Sequence, residues 1–182
     1  MAYLTAMTLR APDLKATHER GIFRAFAERF RPDVDLDSIA SGNPVAREPD
    51  ILAKSTEGDW YTAFELVRLT EAASQLLAGA GHASGPASVA HYNVHAFAEK
   101  FRNARRGYYQ GVPAQQLELL AYSEHLLTPW NVVLSTLEHW LTHEAGCCEF
   151  TQVWLWRRES EKENEVPQLW RWTPRDGLKP AG

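Results

Sequence analysis

Residues 49–69 constrain the fold of this 182-residue chain more than any other stretch. Pro49 to Lys54 and Trp60 to Leu69 are apolar runs of strand length, and Glu57-Gly58 between them is an acidic-glycine pair suited to a tight hairpin. With Glu57 and Gly58 as the loop, Thr56 faces Asp59, and counting back along both strands Asp50 faces Glu65. Directly opposed side chains share a sheet face and lie about 4.5–5.5 Å apart at Cβ. Two carboxylates at that distance repel each other unless something positive stands between them, and a divalent cation with oxygen ligands does so. Shifting the loop by one residue on both sides keeps the acids on one face as a diagonal pair. A three-residue loop sends them to opposite faces. The competing reading of Glu65, set between Phe64 and Leu66, is a salt bridge to an arginine such as Arg47 or Arg68, because a buried acid requires a partner.

The remaining elements alternate around that hairpin. Thr17 to Phe30 reads as a helix, with Ile22, Phe23, Phe26 and Phe30 on one stripe, Thr17 as N-cap and Arg31-Pro32 as its stop. Asp33 to Gly42 is a short edge strand or a turn. After the Gly/Ala/Ser-rich loop from Gly79 to Gly85, a second helix is predicted from Val89 to Tyr109. Val94, Phe97, Phe101, Ala104 and Tyr108 form its apolar stripe, flanked by Lys100, Arg102, Arg105 and Arg106. Leu117 to Tyr122 is a buried strand. Thr128-Pro129 caps a third helix that ends at Gly146. Phe150 to Arg157 and Gln168 to Trp172 form a tryptophan-rich strand pair around the polar loop from Glu159 to Glu165. The order helix, hairpin, helix, strand, helix, hairpin implies an α/β fold, a mixed central sheet with flanking helices, in one domain spanning residues 1–182.

Composition narrows the function. At 45% hydrophobic residues the chain can bury a core without disulfides, and no apolar run is long enough to span a membrane. Residues 1–10 lack a secretory pattern, and the two cysteines, Cys147 and Cys148, are adjacent, which points to a reducing, cytoplasmic setting. A net charge of −4 argues against a protein that coats nucleic acid by charge alone, though a local basic groove stays compatible with it.

The segment Arg47-Glu48-Pro49-Asp50-Ile51-Leu52, followed after the turn by Ala63-Phe64-Glu65-Leu66-Val67, resembles the Pro-Asp … Glu-x-Lys hairpin of PD-(D/E)XK nucleases, and the flanking element order is similar. The resemblance implies a restriction-endonuclease-like core. It also implies a Mg²⁺ or Mn²⁺ site built from Asp50, Glu65 and the Leu66 carbonyl, with Glu19 or Glu28 of the first helix as a further ligand. The departure is Val67, which stands where the family carries lysine. Losing a group that stabilises charge in the transition state costs on the order of 10²–10³-fold in rate. Some relatives supply that charge from the following helix, which makes Lys100 the first candidate and Arg68 the second. Lys54 shares the face of Asp50 but lies about 13 Å along the strand at ~3.3 Å per residue. On this reading Arg102, Arg105 and Arg106 contact DNA or RNA phosphates. The protein is then a metal-dependent nuclease, or, given the missing lysine, an inactive pseudo-nuclease that serves as an interaction or regulatory module. A hydrolase of small phosphorylated substrates has no motif of its own.

Other constellations are weaker. His91 with His95 and His139 with His143 share helical faces, but neither pair has a third ligand or an intervening glutamate, so surface histidines are the better reading. Trp154, Trp156, Trp170 and Trp172 alternate on two adjacent strands and can project together onto one face. That face is read as core or as a homo-oligomer interface ahead of a base-stacking platform.

Overall fold

The computed structural model describes residues 11–58, 60–69, 94–112, 117–123, 130–143, 150–158 and 168–181. Among them are three α-helices and a seven-stranded mixed sheet. In chain order they are α1 (Ala11–Phe30), β1 (Ala40–Ser41), β2 (Ile51–Lys54), β3 (Tyr61–Arg68), α2 (Val94–Arg105), β4 (Leu117–Ser123), α3 (Trp130–His143), β5 (Val153–Arg157), β6 (Gln168–Thr173) and β7 (Gly177–Pro180). The strands lie in sequence order across the sheet; β3–β4 and β4–β5 are parallel and every other neighbouring pair is antiparallel. The general α/β class therefore holds. The loop at Gly79–Gly85, the cap at Thr128-Pro129, His91, Gly146, Cys147-Cys148 and the loop from Glu159 to Glu165 lie outside the described residues.

Helices cover both faces because the central strands alternate two apolar sets. Phe64, Leu66, Leu120, Tyr122, Trp154 and Trp156 face α1, whose Ile22, Phe23 and Phe26 are fully buried against them. Ala63, Val67, Leu119, Ala121, Val153 and Leu155 face the other way and pack with Phe97 and Phe101 of α2 and Val133, Leu137 and Leu141 of α3.

Several expectations change. The first helix begins at Ala11, not at Thr17; Pro12 falls in its first turn, where a missing N–H forfeits no helical bond. The hairpin connection runs over 56–59, closed by Ser55 N–H donating to the Trp60 carbonyl at 3.0 Å, while Thr56 N–H turns aside to the Asp33 carbonyl at 2.8 Å. The loop is longer than two residues by one on each side, so the register survives: Ile51 stands opposite Phe64 and Lys54 opposite Tyr61.

The second helix stops at Arg105, short of Tyr109. Gly107 takes φ 61°, its N–H reaches the Ala104 carbonyl at 2.9 Å, and Tyr108 N–H reaches Asn103 at 3.0 Å. This paired closure is a Schellman cap, and it moves Tyr108 off the helical stripe. The tryptophans also do not share a face. Trp154 stands opposite Arg171 and Leu155 opposite Trp170, so Trp154 and Trp156 enter the α1 side while Trp172 enters the α2/α3 side. A one-residue offset in register inverts the face, as a period of two requires.

Candidate active site

The β2–β3 register carried back one pair sets Asp50 opposite Glu65 on the sheet face covered by α2. Glycine at position 42 makes this possible. Its N–H donates to the Asp50 carbonyl at 3.1 Å, and a Cβ there would stand 1.9 Å from the Pro49 carbonyl oxygen. The two acids also brace each other's backbones. Asp50 N–H donates to Glu65 Oε1 at 3.1 Å, and Leu66 N–H donates to Asp50 Oδ2 at 2.9 Å. Pro49, opposite Leu66 in the continued register, has no N–H to offer the Leu66 carbonyl.

Lys100 reaches both acids from α2. Its Nζ donates to Asp50 Oδ2 at 2.9 Å and to Glu65 Oε2. The carboxylates are deeply placed, with 16% of the Asp50 and 3% of the Glu65 side chain accessible. Lys15 of α1 approaches Asp50 Oδ1 at 3.9 Å and pairs with Glu19 Oε1 at 3.2 Å, which brings Glu19 to the margin of the cluster. Glu28 is not part of it. It sits on the exposed side of α1 in a pair with Arg24 at 3.2 Å, two and a half turns from Glu19, and that expectation is corrected.

The electrostatics follow from burial and from these partners. Burial pushes the Glu65 carboxyl up; Lys100 opposes that and Asp50 adds to it, leaving a pKa of about 7. Burial also pushes Asp50 up, but the Lys100 ammonium and the Leu66 N–H outweigh it and hold Asp50 below the usual carboxylate range. Glu19 is raised by burial and by Asp50. Burial disfavours the Lys100 cation, yet Glu65 and Asp50 more than compensate, so it stays charged.

The cluster opens into a cavity of about 300 Å³ walled by Glu99, Lys100 and Asn103 of α2, by Arg47 and Glu48, and by Tyr108 and Tyr109. Tyr109 was read as the last residue of a helix; its hydroxyl is instead buried at the cavity, set against the Glu65 carboxylate. Arg102, Arg105 and Arg106 are exposed but do not line the cavity. Lys54 is exposed over the Tyr61 ring. Val67 is packed in the core with Phe97 and Phe101, so a cation on its side chain would be buried there.

The donor set suits a hard cation: two carboxylates on one face, with lone pairs beyond those taken by Lys100, and a neighbouring carbonyl that meets no ladder donor from proline. Among the described residues no three His, Cys, Asp or Glu side chains converge on one point. Asp50 and Glu65 are the two side chains that could hold such a cation, and Glu19 stands at their margin, tied in through Lys15. Mg²⁺ suits such a sparse set because it keeps several of its waters.

Sequence reasoning missed a second buried acid. Glu118 lies in β4 on the α1 face, where it accepts from Arg31 at 2.7 Å, from Trp154 Nε1 and from Thr62 at 3.5 Å. Arg31 also grips Asp33 through two bonds of 2.8 and 2.7 Å. The signal was visible: Glu118 interrupts the apolar run Leu117 to Tyr122 as Glu65 interrupts its own. Here the arginine salt bridge once considered for Glu65 is what occurs. No helix among the described residues is long and apolar enough to cross a membrane. In comparisons with known proteins the chain matches no family model, no curated protein and no solved structure.

Proposed function

We propose that the protein is a Mg²⁺- or Mn²⁺-dependent nuclease-like hydrolase of nucleic-acid phosphodiesters. The observation that carries this reading is the meeting of Lys100 Nζ with both Asp50 and Glu65 at the wall of an open cavity. A purely structural ion pair has no need of a cavity. Asp50, Glu65 and the Leu66 carbonyl would hold the divalent cation, which would supply Lewis acidity to the phosphodiester.

The chain's own groups complete the site. Lys100 has three N–H donors, two engaged by the acids, and directs positive charge toward a phosphate in the cavity. It supplies from α2 the charge that the nuclease resemblance leaves missing at Val67. Lys15 holds Glu19 and faces Asp50, which orients the acid from the α1 side.

The rival reading, a pseudo-nuclease acting as an interaction or regulatory module, is favoured by the same ammonium, which already neutralises the acids. Two measurements separate them. On the enzyme reading, Mg²⁺ or Mn²⁺ should raise the melting temperature of the wild type and not of Asp50→Ala, because a ligand of the folded state stabilises by mass action. On the same reading, cleavage of single- or double-stranded DNA or RNA should be present in wild type and absent in both Asp50→Ala and Glu65→Ala. Equal background in all three preparations, with no metal response, defeats the enzyme reading and leaves the module.

A further inference from the structure

Arg47 is the only non-glycine residue with positive φ among the described residues, at φ 57° and ψ 32°. It closes the 3₁₀ turn Pro44–Ala46, where glycine is the favoured residue because a Cβ is strained in this conformation. The backbone is held from two sides. Arg47 N–H donates to the Pro44 carbonyl at 3.2 Å, and Gln110 N–H donates to the Arg47 carbonyl at 2.9 Å. The side chain gives little stability in return. It is exposed, and among the described residues its only recorded partner is the Tyr108 ring, with the guanidinium carbon 5.3 Å from the centroid. Strain of this kind gathers at ligand sites.

The surroundings indicate the ligand. The Gly107 cap lifts Tyr108 out of the helix, and its ring stands 40% exposed and perpendicular to that of Tyr109. Tyr109 keeps its own hydroxyl buried against the Glu65 carboxylate and leaves the Tyr108 ring and the Arg47 guanidinium as the groups presented at the lip. A guanidinium is a donor matched to a phosphate, and an exposed ring next to it offers a face to a base. A cavity of about 300 Å³ takes one nucleotide and not a duplex.

We propose that this lip is a nucleotide subsite for a single strand, with Arg47 taking a phosphate and Tyr108 stacking the adjoining base. The proposal rests on the nuclease-like reading and names its substrate class: a single strand, or a strand end splayed from its partner.

The test is fluorescence anisotropy of a 3′-labelled fifteen-residue oligothymidylate in Ca²⁺, a cation with the same oxygen preference as Mg²⁺. Wild type, Arg47→Gly, Tyr108→Ala and Tyr108→Phe are compared. Arg47→Gly relieves the backbone, so its melting temperature equals or exceeds that of wild type while its affinity falls about ten-fold. Its binding also loses roughly 0.7 from the slope of log affinity against log salt. Tyr108→Ala weakens binding on the order of 5- to 100-fold, and Tyr108→Phe stays near wild type. Unchanged affinity in Arg47→Gly and Tyr108→Ala overturns the subsite, as does a large stability loss in Arg47→Gly. So does a wild type that binds no strand. In each case the Asp50-dependent melting response to Mn²⁺ separately decides whether the metal reading survives.

Discussion

Replacing Lys100 by methionine keeps an unbranched apolar stem on α2 and removes the ammonium that bridges Asp50 and Glu65. Only 16% and 3% of those acid side chains are accessible, so water replaces little of the lost interaction. Breaking a buried pair by removing one partner costs about 3–5 kcal/mol. Glu65, already near pKa 7, takes up a proton and relieves part of the repulsion, which puts the expected loss near the lower figure. For a chain of this size that is a drop of roughly 6–12 °C in melting temperature, at about 2–4 °C per kcal/mol. The assay is a thermal melt at pH 7.5 with and without Mn²⁺. If the acids form a cation site, Mn²⁺ stabilises Lys100→Met more than wild type, because no neighbouring ammonium competes electrostatically for the two carboxylates. Saturation at a hundred times Kd adds about 2.7 kcal/mol. A fall of less than 2 °C would show that the ammonium holds no buried charge in place. An identical Mn²⁺ response in both proteins would refute the competition.

Two further outcomes test the remaining electrostatics. Glu65 binds its proton more tightly folded than unfolded, so its contribution to stability is fully present below about pH 4.5 and is lost as pH rises through about 7. Urea denaturation of Glu65→Gln against wild type from pH 4.5 to 8 should show a flatter profile in the variant, whatever its absolute stability; parallel profiles contradict the assignment. On the opposite sheet face, Arg31→Met leaves Glu118 without its cation and should cost about 3–5 kcal/mol in urea denaturation while leaving the Mn²⁺ response intact. A lost metal response there would mean that the two buried acids are not independent.

Local chemistry determined more of this protein than its length suggests. The apolar alternation of residues 49–69 and the turn residues between them were enough to set Asp50 opposite Glu65, because strand register has a period of two and tolerated the longer loop. The stripe Ile22, Phe23 and Phe26 likewise announced a helix buried on one side. Tertiary structure decided what pattern alone leaves open. Both Glu65 and Glu118 are acids in apolar strands; only the packing of α2 and α1 gave one a lysine beside a cavity and the other an arginine sealed in the core. The choice of Glu19 over Glu28 depended on where α1 crosses the end of β2. The split of the tryptophans depended on the β5–β6 offset, set across a connection whose length does not specify register. Arg47 and Tyr108 became a pair because a Schellman cap at Gly107 ended a helix whose apolar stripe continues past it. The Gly107 cap is local, but in the other cases the deciding interaction joins residues far apart in the chain, and a one-dimensional periodicity carries no information about which distant partner will be there.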